Sequence, residues 1–316
     1  MPNAMLLVPD AVLAEPARAS LHDGWAVVVA DGRMAALGPL AELERLHPEA
    51  ARLDLSGCLL VPGLINAHQH GRGLSQLQLG YPDAPLERWI NARRSRGAPD
   101  GAAFVKLAAA AMLENGVTSA VHANYAYGTG DYETEVRAQL AAYVEAGLRV
   151  TFCVGAQDRG FVVYPPFTVD DLSPLPAAAA RFAAAAGSPY APDIPAQLAL
   201  MDRLLHDWGD HPLVTLSWGP AGPQWVSDAL FRAIVGHARA HGLGLHLHCL
   251  ESPAQAACCR RLYPAGTLRH LADLDVLEPT TVLAHAVHLS AEDIAVAADR
   301  GVVVAHMRPA RPSALM

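Results

Sequence analysis

Short apolar runs separated by turn-forming residues fill the first sixty positions. Residues 4–13 (AMLLVPDAVL), 24–30 (GWAVVVA) and 33–38 (RMAALG) each read as a β-strand. Asp31-Gly32 between the second and third is a hairpin signal, because a tight turn demands positive φ and these residues tolerate it. Residues 40–50 read as a short helix and 51–56 as a further strand. A block of about 55 residues buries little core by itself, so it is expected to lean on the main domain or on strands from elsewhere.

From residue 57 the period changes. Apolar strand-like runs at 59–66, 117–126, 148–156, 212–218, 243–249, 281–287 and 302–306 alternate with helical patterns at 101–115, 133–146, 196–208, 226–241, 253–273 and 290–300. Strands alternating with helices imply βαβ units and a parallel sheet. Gly116, Gly147, Gly242 and Gly301 each stand between a helix and the next strand. The pattern suits an α/β fold of the (β/α)8 TIM-type barrel lacking its last strand. Residues 71–100 read as a polar, Arg-rich loop, and the Pro- and Ala-rich stretch 174–189 as a helix flanked by prolines. The expected division is 1–56 as an N-terminal β block, 57–306 as a barrel of seven strands, and 307–316 (MRPARPSALM) as an aberrant tail.

Composition narrows the class. Of 316 residues, 52% are hydrophobic, enough for a sizeable core, and 23 Lys+Arg face 31 Asp+Glu. That balance argues against nucleic acid or an anionic membrane as the main partner, since both select basic patches. No apolar run approaches the ~18 residues of a membrane helix, and MPNAMLLVPD lacks the basic start of a signal peptide. Five cysteines without a C-x-x-C pair read as reduced thiols in a cytoplasmic protein.

Histidines recur at the predicted C-terminal strand ends, the edge where a parallel barrel builds its site. His68 and His70 end the first strand, and an i, i+2 pair on a strand shares one face. His122 ends the second strand, Trp218 the fourth, His246 and His248 the fifth with Glu251 just beyond, and His285 the sixth. Two imidazoles converging from a rigid strand begin a metal site, although a lone H-x-H also arises by chance. Of His246 and His248 at most one need be a ligand. Glu251 also fits a carboxylate favoured at a helix N-terminus. Ser290-x-x-Asp293 reads as a helix start, and His288 beside it as structural or surface. His22, His47, His206, His211, His237, His241 and His270 read as surface residues.

PGLINAHQH (62–70), HLHCLES (246–252) and VLAHAVHLS (282–290), in that order, resemble the amidohydrolase superfamily, nearest its cytosine deaminase and triazine chlorohydrolase branch. The resemblance runs nearly to residue 306. It implies metal ligands at His68, His70 and His248, a proton-shuttling Glu251, and a His285 that polarises the attacked centre. It implies one divalent metal, zinc or iron(II), whose bound hydroxide attacks a small cyclic or heteroaromatic substrate at a C–N bond. It also implies that the N-terminal strands are half of a small β-sandwich, and it leaves self-association open for a full-length chain. In the loop after the H-x-H, Arg72, Gln76, Gln78 and Trp89 are candidates to meet a flat polar substrate, with His122 and Trp218 as pocket walls or packing residues.

The family closes its metal site with an Asp on strand eight. Nothing after Asp299 is acidic, and His306 is followed by Met307-Arg308-Pro309. The expectation is a C-terminally truncated hydrolase with open strand edges and weakened metal retention. A dehalogenating hydrolase and a non-catalytic remnant are the alternative readings.

Overall fold

The computed structural model describes residues 4–75, 77–81, 84–94, 100–125, 131–159, 163–167, 171 and 193–306. The helix expected at 174–189, the tail 307–316 and Gln76 lie outside the described residues. The chain divides into two compact units at Leu64/Ile65.

In the first unit, β1 (Ala4–Glu15), β2 (Ser20–Asp23), β3 (Trp25–Ala30), β4 (Arg33–Pro39) and β5 (Ala51–Leu60) form one sheet. Its order is β2-β1-β3-β4, antiparallel throughout, with β5 added in parallel along β1. Asp31 and Gly32 take the expected positive φ, 51° and 71°, at the β3–β4 turn. Leu6, Val8, Ala26 and Val28, alternate residues on their strands, meet Leu43 of α1 (Leu40–Leu46) in a small core. Two features differ from the sequence reading. Ser20–Asp23 forms a strand that its polar ends concealed. The apolar run expected as a single strand at 59–66 is split, because β5 extends to Leu60 by pairing with β1 and a new strand starts at Leu64.

The second unit carries β6 (Leu64–Gln69), β7 (Val117–Ala123), β8 (Arg149–Ala156), β9 (Val214–Pro220), β10 (Leu245–Cys249), β11 (Thr281–His285) and β12 (Val303–Ala305), paired strictly in chain order. Between them run α2 (Leu86–Arg94), α3 (Gly101–Glu114), α4 (Tyr132–Ala146), α5 (Ile194–Trp208), α6 (Asp228–His241), α7 (Pro253–Leu262), α8 (Thr267–Asp273) and α9 (Ala291–Asp299). β6 and β11 are five places apart in sheet order, about 24 Å if the sheet were flat. Yet the rings of His68 on β6 and His285 on β11 have centroids 5.0 Å apart. The sheet is therefore curled into a nearly closed barrel. Its two edges show apolar side chains, with Leu64, Ile65, Val303 and Val304 between 41% and 71% exposed.

Local chemistry explains the helix boundaries. Asp100, Asp131, Asp193, Ser227, Ser252 and Ser290 each accept a backbone N–H of the first turn, and Ser290 forms a capping box with Asp293. Gly147 and Gly242 cap α4 and α6 in the left-handed conformation. The long helix expected at 253–273 is broken into α7 and α8 at Pro264-Ala265-Gly266, where Gly266 has φ 109°. α2 arises inside the stretch read as a loop. Between sheet and helices lies the main core, with Val136, Leu140, Phe152, Met201, Leu204, Phe231, Ile234, Leu247 and Leu268 buried.

On the outer face Glu133 of α4 accepts from Arg137, one turn on, and from Arg203 of α5, while Arg137 also reaches Asp207. Hydrogen bonding from Arg203 is the main cause holding the Glu133 carboxyl below its ordinary 4.5. A group whose folded value is depressed stabilises above its unfolded value and loses that contribution as pH falls. Glu133→Gln is expected to lower stability at pH 7 by about 1 kcal/mol. In urea titrations the gap from wild type should close as pH drops below 4.5.

Candidate metal centre

Four imidazoles converge inside the barrel. β6 presents His68 and His70, β10 presents His248, and β11 ends on His285. The ligand atoms of His68, His248 and His285 lie within 4.8 Å of one another. His70 Nε2 stands 3.4 Å from His248 Nε2, with the two rings stacked at 6°. His285 and Ala286 adopt φ 69° and 53°. This conformation is strained for residues with a Cβ, and such strain recurs at functional sites.

The far side of three of these rings is anchored. His70 Nδ1 donates to the Ala123 carbonyl at 2.7 Å, His248 Nδ1 meets Tyr125 Oη at 2.6 Å, and His68 Nδ1 meets His246 Nε2 at 2.8 Å. A carbonyl can only accept, so neutral His70 carries its proton on Nδ1 and a lone pair on Nε2. His68 Nε2 is buried with no hydrogen-bond partner among the described residues. Burial is the leading cause that lowers every one of these groups. His68 falls to about 3, His246 and His285 to about 4, and His70 and His248 well below the ordinary 6.5. All are neutral at physiological pH. Neutral imidazole nitrogens suit zinc and its transition-metal neighbours. Two ligands about 2.0–2.1 Å from a tetrahedral ion stand roughly 3.3–3.4 Å apart, which the His70–His248 spacing matches. The residues fit a divalent metal.

Glu251, just past β10, brings Oε2 to 3.6 Å from His285 Nε2. Burial first, and the nearby charge of Glu87 second, push its carboxyl up to about 7, against a lowering by Arg72. Glu87 is an acid that the sequence reading passed over. Its Oε1 accepts from Ser252 Oγ at 2.5 Å and Tyr164 Oη at 3.0 Å. Only the recognition that 86–94 is a helix bringing Glu87 to Ser252 and Tyr164 could have flagged it, and those partners lie far off in the sequence. Tyr125 was likewise missed, since nothing local marks a tyrosine two residues past a strand.

The other sequence candidates separate. Arg72 stacks its guanidinium over Trp89 at 5.1 Å, so these two are brought together beside Glu251. Gln78 is spent on a turn, accepting from the Ser75 N–H. His122 is fully buried under the loop that follows β6, held by Tyr143 Oη at 3.0 Å and touching Phe152, so it backs that loop and is not an open pocket wall. Of the two readings of Trp218, pocket wall or packing residue, the structure takes the second. Trp218 shares a face with Val214 and Leu216 in the core between sheet and helices, and its indole N–H donates to His237 Nδ1 on α6. His237, read as a surface residue, is almost wholly buried by that contact and passes its other nitrogen to Asp202 of α5.

A model described as the amidohydrolase family matches residues 59–313, and one described as the imidazolonepropionase-like composite domain of bacteria matches 26–50. A 5-methylthioadenosine/S-adenosylhomocysteine deaminase of Nitratidesulfovibrio vulgaris is 27% identical over 310 residues, 96% of this chain and 62% of that protein. An 8-oxoguanine deaminase of Pseudomonas aeruginosa is 26% identical, over 89% of this chain and 60% of that one. The chain thus spans about three-fifths of the length of these curated relatives. Among solved structures, a triazine hydrolase from Arthrobacter aurescens superposes with TM-score 0.75 at 21% identity, covering 96% of this chain and 65% of that one. A zinc-bound adenosine deaminase from Xanthomonas campestris superposes with TM-score 0.67 at 24% identity, covering 96% and 62%.

Gly71, next to His70, has φ 64°, and a Cβ there would lie 2.6 Å from His122 Cε1 and 2.8 Å from Val105 Cγ2. Gly71→Ala combines left-handed strain with a clash in a filled space. It is expected to destabilise by about 2–3 kcal/mol, read by denaturant unfolding.

Proposed function

The chain belongs to the amidohydrolase family, and from that premise we propose that it holds one divalent metal ion and hydrolyses a carbon–nitrogen bond of a small heteroaromatic ring. The observation that carries the reading is the convergence of His68, His248 and His285, with His70 Nε2 3.4 Å from His248 and a carboxyl at their edge. We assign His68, His70 and His248 to the ion. His285, in the same group and 3.6 Å from Glu251 Oε2, is assigned to polarise the attacked centre. When bound, the ion, zinc first and iron(II) second, supplies Lewis acidity toward water and substrate.

The chain's own residues do the rest. Glu251 takes a proton from the attacking water at one oxygen and returns it to the departing nitrogen, work that a positioned carboxyl typically accelerates 10²–10⁴-fold. The Arg72–Trp89 pair offers a flat cationic and aromatic surface on which a planar ring can stack. Glu87, held by Ser252 and Tyr164, adds an acceptor for polar hydrogens of the substrate. Deamination of purine-type rings is favoured because the curated relatives named above are deaminases acting on purines or purine nucleosides.

Metal analysis after zinc loading is expected to find one ion per chain in wild type, with His70→Ala and His248→Ala losing it. Glu251→Gln should keep the metal while ammonia release from 5-methylthioadenosine, adenosine, guanine or 8-oxoguanine falls at least ~100-fold. A wild-type chain that binds no zinc, or a Glu251→Gln chain that turns over normally, would defeat the reading. Chloride release from a chlorotriazine without ammonia from the purines would move the assignment to dehalogenation.

A further inference from the structure

We propose that His246 is a positioning residue: it accepts the Nδ1 proton of His68 and so aims the His68 Nε2 lone pair at the metal site. The inference rests on the metal reading above. Three of the converging imidazoles have Nδ1 engaged, His70 by the Ala123 carbonyl, His248 by Tyr125 Oη and His68 by His246 Nε2. His246 is thus the third anchor in a set. It lies two residues before His248 on the same inward face of β10, one layer deeper, about 6.6 Å along the strand. The rings of His68 and His246 stack at 16° with centroids 5.0 Å apart. His246 Nε2 meets the Nδ1 edge of His68, which leaves Nε2 on the other edge for an ion.

Proton placement makes the role specific. One proton lies between His68 Nδ1 and His246 Nε2, and each neutral ring carries one N–H. If His246 donates, His68 must carry its own proton on Nε2, where it blocks an ion. If His68 donates, its Nε2 is a bare lone pair and His246 carries its proton on Nδ1. Both outer nitrogens, His68 Nε2 and His246 Nδ1, are buried without a hydrogen-bond partner among the described residues, so the protein alone does not favour one arrangement strongly. An ion on His68 Nε2 selects the second. A space-filling residue at 246 could not do this.

The test compares wild type, His246→Leu, His246→Gln and His68→Ala by cobalt(II) titration. The loss of an outer-shell partner typically weakens metal affinity 10–100-fold. That loss is expected in His246→Leu, with the d–d spectrum altered. His246→Gln, which still offers an acceptor near Nε2, should return to within a few-fold of wild type, while metal-free thermal unfolding of the two variants shifts alike. Equal affinity in wild type, Leu and Gln variants would overturn the proposal, as would equal weakening of both variants. Nitrogen-15 histidine spectra of zinc-loaded wild type read the tautomers directly, even if a variant fails to fold. A protonated His68 Nδ1 and bare His246 Nε2 are expected, and the reverse overturns the inference. Wild type that binds no cobalt would instead sink the metal reading itself and this inference with it.

Discussion

Everything at the candidate centre depends on the curling of one parallel sheet. Seven strands paired in chain order put β6 at one edge, and only curvature carries it round to meet β10 and β11. The right-handed twist of parallel strands supplies that curvature, and the helices packed outside hold it through the apolar layer of Val136, Leu140, Phe231 and Leu247. His68 in contact with His246 and His285 is the local expression of that global constraint. If the sheet lay flat, His68 and His70 would stand far from His248 and His285, which sit on neighbouring strands.

Burial then sets the chemistry. A histidine in water is half-charged near pH 6.5, and four charged rings at these spacings would repel. Desolvation removes the charge and leaves neutral rings, three of which have Nδ1 engaged by a carbonyl, a hydroxyl or an imidazole. The same removal from water acts in the opposite direction on Glu251, which it holds back from ionising. One physical cause thus acts on both the imidazoles and the carboxyl, and the Glu87 charge, the second contributor at Glu251, comes from a separate helix.

The outer layer illustrates how a polar residue at a strand end can belong to the scaffold. Trp218 lies near the C-terminal end of β9, where site residues gather, but its parity matches Val214 and Leu216 and turns it toward the helices. Its N–H needs an acceptor in that apolar layer, and His237, backed by Asp202, provides one. Parity within the strand distinguishes this residue from His246 and His248: the strand runs two residues further than the sequence reading placed it, Val214–Pro220 against 212–218, so Trp218 is not its last residue.

Much was legible in the sequence because it is carried by short-range rules. Alternation of apolar periods marked the β block and the βαβ rhythm, Asp31-Gly32 marked a turn, Ser290 and Asp293 marked a helix start, and H-x-H marked two side chains on one face. Family resemblance chose His248 over His246 and gave roles to Glu251 and His285, already candidates at strand ends, and the structure brings all three to the same place as His68 and His70. What tertiary structure alone decided involves partners far apart in the chain. The helix at 86–94, the placing of Glu87 against Ser252 and Tyr164, and the extension of β5 along β1 are of this kind. So is the meeting of His68 with His246, 178 residues later. Local propensity can say that a histidine ends a strand; which nitrogen of which ring it faces is set only when the sheet curls and water leaves.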